Sequence, residues 1–131
     1  MASKRPRPLS PHLTIWRWGP HMVVSILHRA TGIALSIAGL AILTWWLFAM
    51  STGADAYDSF AKAANGPIGL VVLVGLTWSF FQHLLSGIRH LVMDTGGAFE
   101  LGINKNFAIL TIVGSVVLTA AVWFYLLGVA K

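Results

Sequence analysis

Three long apolar runs separated by two short polar stretches set the pattern along the chain. The first covers 22–50, with no charge between 30 and 50. The second covers 66–93 and is uncharged from 67 to 82. The third, 107–130, holds no charged residue at all. A helix that crosses a bilayer needs about 20 apolar residues at a rise of 1.5 Å each, and all three runs reach that length. Inside hydrocarbon every backbone polar group must be satisfied within its own helix or a closed barrel. Barrel strands are shorter and alternate in polarity, so unbroken runs of this length predict helices. The expected fold is all-α, an integral membrane protein with three transmembrane helices. The expected organisation is a cytoplasmic or interfacial segment over 1–21 and a three-helix domain over 22–131. The connections 51–65 and 94–106 hold Gly53, Asp55, Asp58 and Lys62, then Gly96, Gly97, Glu100, Gly102 and Lys105. Both read as loops or surface turns.

Composition sharpens that picture. Of the 131 residues 56% are hydrophobic and only 10% charged, and mean hydropathy is +0.76. Soluble proteins carry about a quarter charged residues, so these charges are too few to cover a soluble domain. There is no Cys, which excludes disulfides, thiolate metal sites and a Cys nucleophile. The formal charge of +5 would suggest phosphate contacts in a nucleic-acid binder. Here the cations lie mostly outside the apolar runs, which points to membrane orientation and not to nucleic acid. Lys4, Arg5, Arg7, Arg17, Arg29, Arg89 and Lys105 fall on one side of a three-span chain; Lys62 and Lys131 fall on the other. That imbalance predicts a cytoplasmic N-terminus. Trp16 and Trp18, and Trp45 and Trp46, stand where interfacial aromatic belts are expected. The first apolar run is too long, and starts too far in, for a cleavable signal, so the chain reads as mature.

The residues that carry information are those that cost energy to bury. The first span opens with Ser25, His28 and Arg29; the second ends with His83, Ser86, Arg89 and His90. Ionisable groups within a membrane span are functional-site candidates. His83 lies ten residues before Met93, roughly 15 Å from the helix end. A neutral imidazole there suits iron ligation. Packing through a hydrogen bond to another helix accounts for it equally well. Gly87 and His90, at i+4 and i+7, continue the His83 face, and a Gly there would let a flat macrocycle approach. Ser25 and Arg29 share a face at i and i+4, and a hydroxyl beside a guanidinium suits a carbonyl oxygen or a carboxylate. An isolated Arg near a helix end more often snorkels to headgroups. His28 points about 100° away from Arg29, towards a second neighbour.

Two stretches then carry a resemblance. The segment Arg7-Pro8-Leu9-Ser10-Pro11-His12-Leu13 leads to Ser25-Ile26-Leu27-His28-Arg29-Ala30-Thr31-Gly32. The second span ends in His83-Leu84-Leu85-Ser86-Gly87-Ile88-Arg89-His90, followed by Asp94 and Gly96. Blocks, order and placement resemble the cytochrome b subunit of succinate dehydrogenase, the larger membrane anchor of respiratory complex II. The resemblance covers Arg7 to Gly96. It implies that His83 is one axial ligand of a haem b, with the second axial His supplied by a partner anchor subunit. It implies ubiquinone binding by Ser25 and Arg29, and haem-propionate contacts from His28 and Arg29, with His90 a weaker candidate. Asp94 falls at the cytoplasmic helix end, where subunit contact is implied. His12 and His21 read as interfacial.

The implied function is electron transfer from an iron–sulfur subunit to quinone. A flavoprotein subunit, also absent from this chain, would oxidise succinate. The chain would thus be an enzyme subunit that never touches succinate, sited in a bacterial inner membrane, with the mitochondrial inner membrane as the less favoured alternative. The implied bundle binds haem jointly with the second anchor. A haem-free structural anchor and the anchor of a fumarate reductase are alternatives. A stand-alone cytochrome with both axial ligands in this chain would need a second deep His, and His28 reads as too near the cytoplasmic end to pair with His83. Gly32, Gly39, Gly69, Gly75 and Gly87 are candidate close-packing positions.

Overall fold

A computed structural model describes residues 17–128. The segment 1–16, with Lys4, Arg5, Arg7, His12 and Trp16, and residues 129–131, with Lys131, lie outside the described residues. The first helix, α1 (Pro20–Ala34), passes through a π-helical turn, Leu35–Gly39, into α2 (Leu40–Thr52). A short helix α3 (Ala54–Asn65) follows, then α4 (Pro67–Asp94) and α5 (Leu101–Gly128). No strand occurs among the described residues. Among the described residues three helical stretches are long and apolar enough to cross a membrane: Pro20–Thr52, Pro67–Asp94 and Leu101–Gly128.

Local sequence explains where the helices start and stop. Both α1 and α4 begin with Pro behind a Gly N-cap, at Gly19–Pro20 and Gly66–Pro67. Proline at the first helical position has no N–H to leave unpaired, and its fixed φ suits the helix. The chain leaves α2 at Gly53 with φ 130°, and leaves α4 through Gly96 with φ 87°. Both angles favour a residue without a Cβ. At the α4 exit the Gly96 N–H donates to the Met93 carbonyl at 2.9 Å and the Gly97 N–H to the Val92 carbonyl at 3.2 Å.

Two expectations about the connections need correction. The stretch 51–65, read as a loop, is mostly the helix α3. Its charges mask a strong helix former: five of its 12 residues are Ala, Asp55 lies in the first turn and Lys62 in the last. Asp58 and Lys62 pair across one turn at 2.6 Å. The stretch 94–106 is a turn only as far as Glu100; α5 starts at Leu101, six residues before the charge-free run. Asn104 and Lys105 are polar but fall within the first five residues of that helix.

The bundle interior is small and polar, not greasy. Val24, Ala49 and Ala108 are its only fully buried apolar residues among those described. Ser79, Gln82, Ser86 and Arg89 line the inner face of α4, and Ala108, Thr111, Ser115 and Thr119 line that of α5. Large apolar side chains face outwards, Ile37, Ile68 and Phe124 among them. In hydrocarbon there is no drive to bury such groups, so small residues and hydrogen bonds knit the helices together. Ser115 donates to Gln82 Oε1 at 2.9 Å, and Trp123 Nε1–H donates to Thr77 Oγ1 at 3.3 Å.

Three of the five candidate glycines have packing roles. A Cβ on Gly69 would lie 2.1 Å from the Ala63 carbonyl and 2.5 Å from that of Ala64. Gly32 and Gly87 face histidine rings, whereas Gly75 meets open space and Gly39 touches only Leu35 in its own chain segment. Gly69→Ala is therefore expected to pry α3 from α4. Overpacking of this kind costs about 1–3 kcal/mol. A lowered thermal midpoint of the purified complex would register it, and an unchanged midpoint would refute the close approach.

Candidate functional site

The polar side chains of α1 and α4 meet at the end of the bundle that holds the α1 start and the α4 exit. His83 projects from α4 against α1, and its ring rests on the backbone at Gly32. A Cβ there would come within 3.0 Å of His83 Cε1. The sequence suggested Gly87 as the clearing for a macrocycle beside His83. Instead Gly87 lies nearest to His28, 3.9 Å from its Cε1. Gly32 gives His83 its room.

The imidazole of His83 is held through Nδ1. It lies 3.0 Å from the main-chain oxygen of His28 and 3.3 Å from Thr31 Oγ1. A carbonyl oxygen can only accept, so Nδ1 carries the proton. The Thr31 hydroxyl proton is directed to the Leu27 carbonyl at 2.7 Å, with the His28 carbonyl at 3.1 Å, which leaves its lone pairs for His83. With Nδ1 protonated, the lone pair of a neutral ring resides on Nε2. That tautomer suits metal ligation through Nε2, with the second nitrogen anchored to a carbonyl.

His28 turns to α4 as its neighbour. Its ring stacks on His83, with centroids 3.9 Å apart and planes 11° from parallel. His90 adds a third imidazole, 5.2 Å from His28 and tilted by 57°. The premise that His28 lies at a different level from His83 is thus corrected, because the crossing of α1 and α4 brings the two rings into contact. Rings stacked face to face cannot clamp an iron between them, since axial ligands point their nitrogens at each other along one line. His28 Nδ1 is buried without a hydrogen-bond partner among the described residues.

An open groove of about 620 Å³ runs beside His83, lined by His28, Arg29, Gly32, Ile33, Ser36 and Ile37. The π-helical turn forms its far wall. One extra residue per turn widens the helix there, and π turns recur at functional sites. Nothing in the sequence signalled it. Arg29 is exposed at the groove mouth and has no carboxylate partner among the described residues. Ser25 is half-buried one turn earlier on α1, and does not line the groove. A second recess, of about 470 Å³, lies at the opposite end between Trp45, Phe60 and Gly69. It is almost wholly apolar and remote from the histidines.

Arg89 takes a different direction from the histidines. It is 3% exposed, and its guanidinium donates to Asn104 Oδ1 on α5. It therefore belongs to the α4–α5 seam, with Asn104 Nδ2 in turn 3.5 Å from Met93 Sδ. Asp94 is exposed at the α4 end, as expected for a surface position. His21 is exposed at the α1 start.

Chemically, the site offers one oriented imidazole with an available nitrogen, a clearing beside it and a cation at its mouth. That set fits a flat, iron-bearing ring ligated from one side by this chain. Among the described residues no cluster of three or more His, Cys, Asp or Glu forms a self-sufficient metal cage.

Comparison with known proteins gives a consistent picture. A family model described as the succinate dehydrogenase/fumarate reductase transmembrane subunit matches residues 3–122. The succinate dehydrogenase cytochrome b556 subunit of Paracoccus denitrificans is 39% identical over 112 residues, covering 86% of this chain and 85% of the relative. That of Rickettsia conorii is 39% identical over 118 residues, 89% of this chain and 90% of the relative. The mitochondrial cytochrome b560 subunit of Sus scrofa is 38% identical over 92 residues, 69% of this chain and 54% of the relative.

Proposed function

The chain belongs to the succinate dehydrogenase/fumarate reductase transmembrane-subunit family, and on that premise we propose that it binds haem b and ubiquinone and helps pass electrons from an iron–sulfur subunit to quinone. The observation that carries this reading is the His83 ring, with Nδ1–H tied to the His28 carbonyl and Nε2 left available beside an open groove. His83 would hold the iron from one side. A His of a partner anchor subunit would supply the second ligand; His28, flat against His83, is not placed to do so. A haem bound there supplies a one-electron relay between the iron–sulfur subunit and quinone.

The chain's own side chains would do the rest. Arg29 and His28 line the groove and supply positive charge or N–H donors for propionates. His90 extends the imidazole column and is a weaker candidate for the same role. Ser25 would donate to a quinone carbonyl oxygen. Arg29 would hold a fixed cation where negative charge builds up as that oxygen is reduced, which is electrostatic preorganisation. Both sit at the end where Lys and Arg concentrate, which favours a cytoplasmic N-terminus in a bacterial inner membrane. Electrons would enter at that face from the iron–sulfur subunit, itself fed by the flavoprotein subunit. The names of the relatives favour the succinate-oxidising direction.

The purified complex tests this directly. A reduced-minus-oxidised spectrum is expected to display a low-spin b-type signal beside the flavin and iron–sulfur centres. A complex without that signal would reduce the chain to a structural anchor. Arg29→Ala is expected to slow quinone reduction by roughly tenfold or more, the loss that follows removal of a charged hydrogen bond, while succinate oxidation by an artificial acceptor stays at the wild-type rate. Normal quinone turnover in that variant would remove Arg29 from the site.

A further inference from the structure

Thr31 lies within the first motif but has no role in the function described above. It is buried, with 2% of its surface exposed, although it is polar and stands on a membrane-spanning helix. Its hydroxyl is fully engaged. The proton goes to the Leu27 carbonyl at 2.7 Å, and the oxygen faces His83 Nδ1 at 3.3 Å. The adjacent Gly32 leaves the same ring only the space of a missing Cβ, 3.0 Å from Cε1. The His83 ring is thus fixed by two acceptors on one nitrogen and by a backbone wall against its edge.

We propose that Thr31 is a positioning residue for the His83 imidazole: with the His28 carbonyl it holds the Nδ1–H tautomer, and through that hydrogen bond it lowers the reduction potential of the haem that His83 binds. The proposal rests on the axial-ligand reading of the preceding subsection. An acceptor on Nδ1–H draws the proton away from the ring and makes Nε2 the stronger donor. A stronger donor favours ferric over ferrous iron, and hydrogen bonds to an axial ligand are among the means by which a protein sets a haem potential. The His28 carbonyl is the closer acceptor and stays in place when Thr31 is changed. Loss of the hydroxyl alone should therefore shift the potential without freeing the ring.

Three variants of the purified complex separate the outcomes. Thr31→Val keeps the branched shape and removes the acceptor; Thr31→Ala removes both; Thr31→Ser restores the hydroxyl without the methyl. Potentiometric titration of the b-type absorbance is the readout, with the low-temperature electron paramagnetic resonance of the ferric form as a second signature. Val and Ala are expected to raise the midpoint potential by less than a tenfold change in the ferric preference, which is about 59 mV for one electron. Ser is expected to return it to the wild-type value. Wild-type potentials in haem-loaded Val and Ala variants would overturn the proposal, and so would a Ser variant that shifts as Val does. If Val and Ala fail to assemble while Ser assembles with an unaltered spectrum and potential, Thr31 is a packing residue and the proposal falls. The axial-ligand reading fails separately, by a wild-type complex lacking the b-type signal or by His83→Ala leaving that signal untouched.

Discussion

A complex carrying His83→Ala is expected to lose its native low-spin b-type spectrum while it still oxidises succinate with an artificial acceptor. The expectation follows from how singular His83 is. Its ring has an anchored Nδ1 and an available Nε2, and it borders the groove at Gly32. No other imidazole among the described residues is held in that way. His28 offers its face to His83, and its Nδ1 is buried. His90 stands beyond His28. Removal of one ring does, however, leave a space 3.9 Å from the His28 ring. A second variant, His83→Ala with His28→Phe, closes that route by replacing the neighbouring imidazole with a ring that cannot ligate. Any signal that survives in the single variant should be altered in form and should vanish in the double one. An unaltered spectrum in both would mean that iron is held wholly by other subunits. His83 would then serve as an interhelical hydrogen-bond donor, the packing role that spacing alone left open. Succinate oxidation is the internal control, since it reports on assembly of the soluble subunits and not on this site.

The same histidines mark the boundary of what the sequence made legible. Three spans could be read because an uncharged apolar run of about 20 residues matches the thickness of a bilayer. The end of the bundle at which His28, Arg29 and His83 gather could be read too, from antiparallel spans joined by a short connection. The rotation of one helix against the other could not. Spacing within α1 sets His28 about 100° from Arg29, but only the crossing of α1 and α4 decides which neighbour that direction meets. Contact between His28 and His83, and the choice of Gly32 over Gly87 as the clearing, depend on that crossing. Thr31 stood in a motif without a role, because a Thr that satisfies itself on its own helix gives no periodic signal. The α3 helix escaped notice for the opposite reason. Gly53 before it and its Asp residues resemble a loop when counted, and its alanines count as apolar without forming a run. The polar seam of Gln82, Ser86, Ser115 and Thr119 was also hidden, since inside a membrane protein the buried face is the small and polar one.

Arg89 and Asn104 yield the second large effect, and it concerns stability. Arg89 lies five residues before the end of α4, roughly 7–8 Å along the helix. Its side chain turns into the α4–α5 seam, not out to headgroups. Arginine stays protonated in proteins, so its charge must be answered where it sits. Asn104 Oδ1 is the acceptor found there, while Arg89 Nε has none among the described residues. Asn104→Leu would remove that acceptor and leave a buried cation unanswered. A hydrogen bond to a charged group contributes about 1.5–3 kcal/mol, and the cost of stranding the charge pushes towards the upper end. Arg89→Met in addition removes the charge itself, leaving two apolar side chains in a seam that can close over them. Replacing both partners of a buried polar contact is often nearly neutral where breaking it is not. The thermal midpoint of the purified complex is therefore expected to fall further in Asn104→Leu than in the double variant, against the usual rule that independent losses add. A double variant that falls by the sum of the two single ones would show that Arg89 and Asn104 act separately, and that the Arg89 charge finds its compensation elsewhere in the assembled complex.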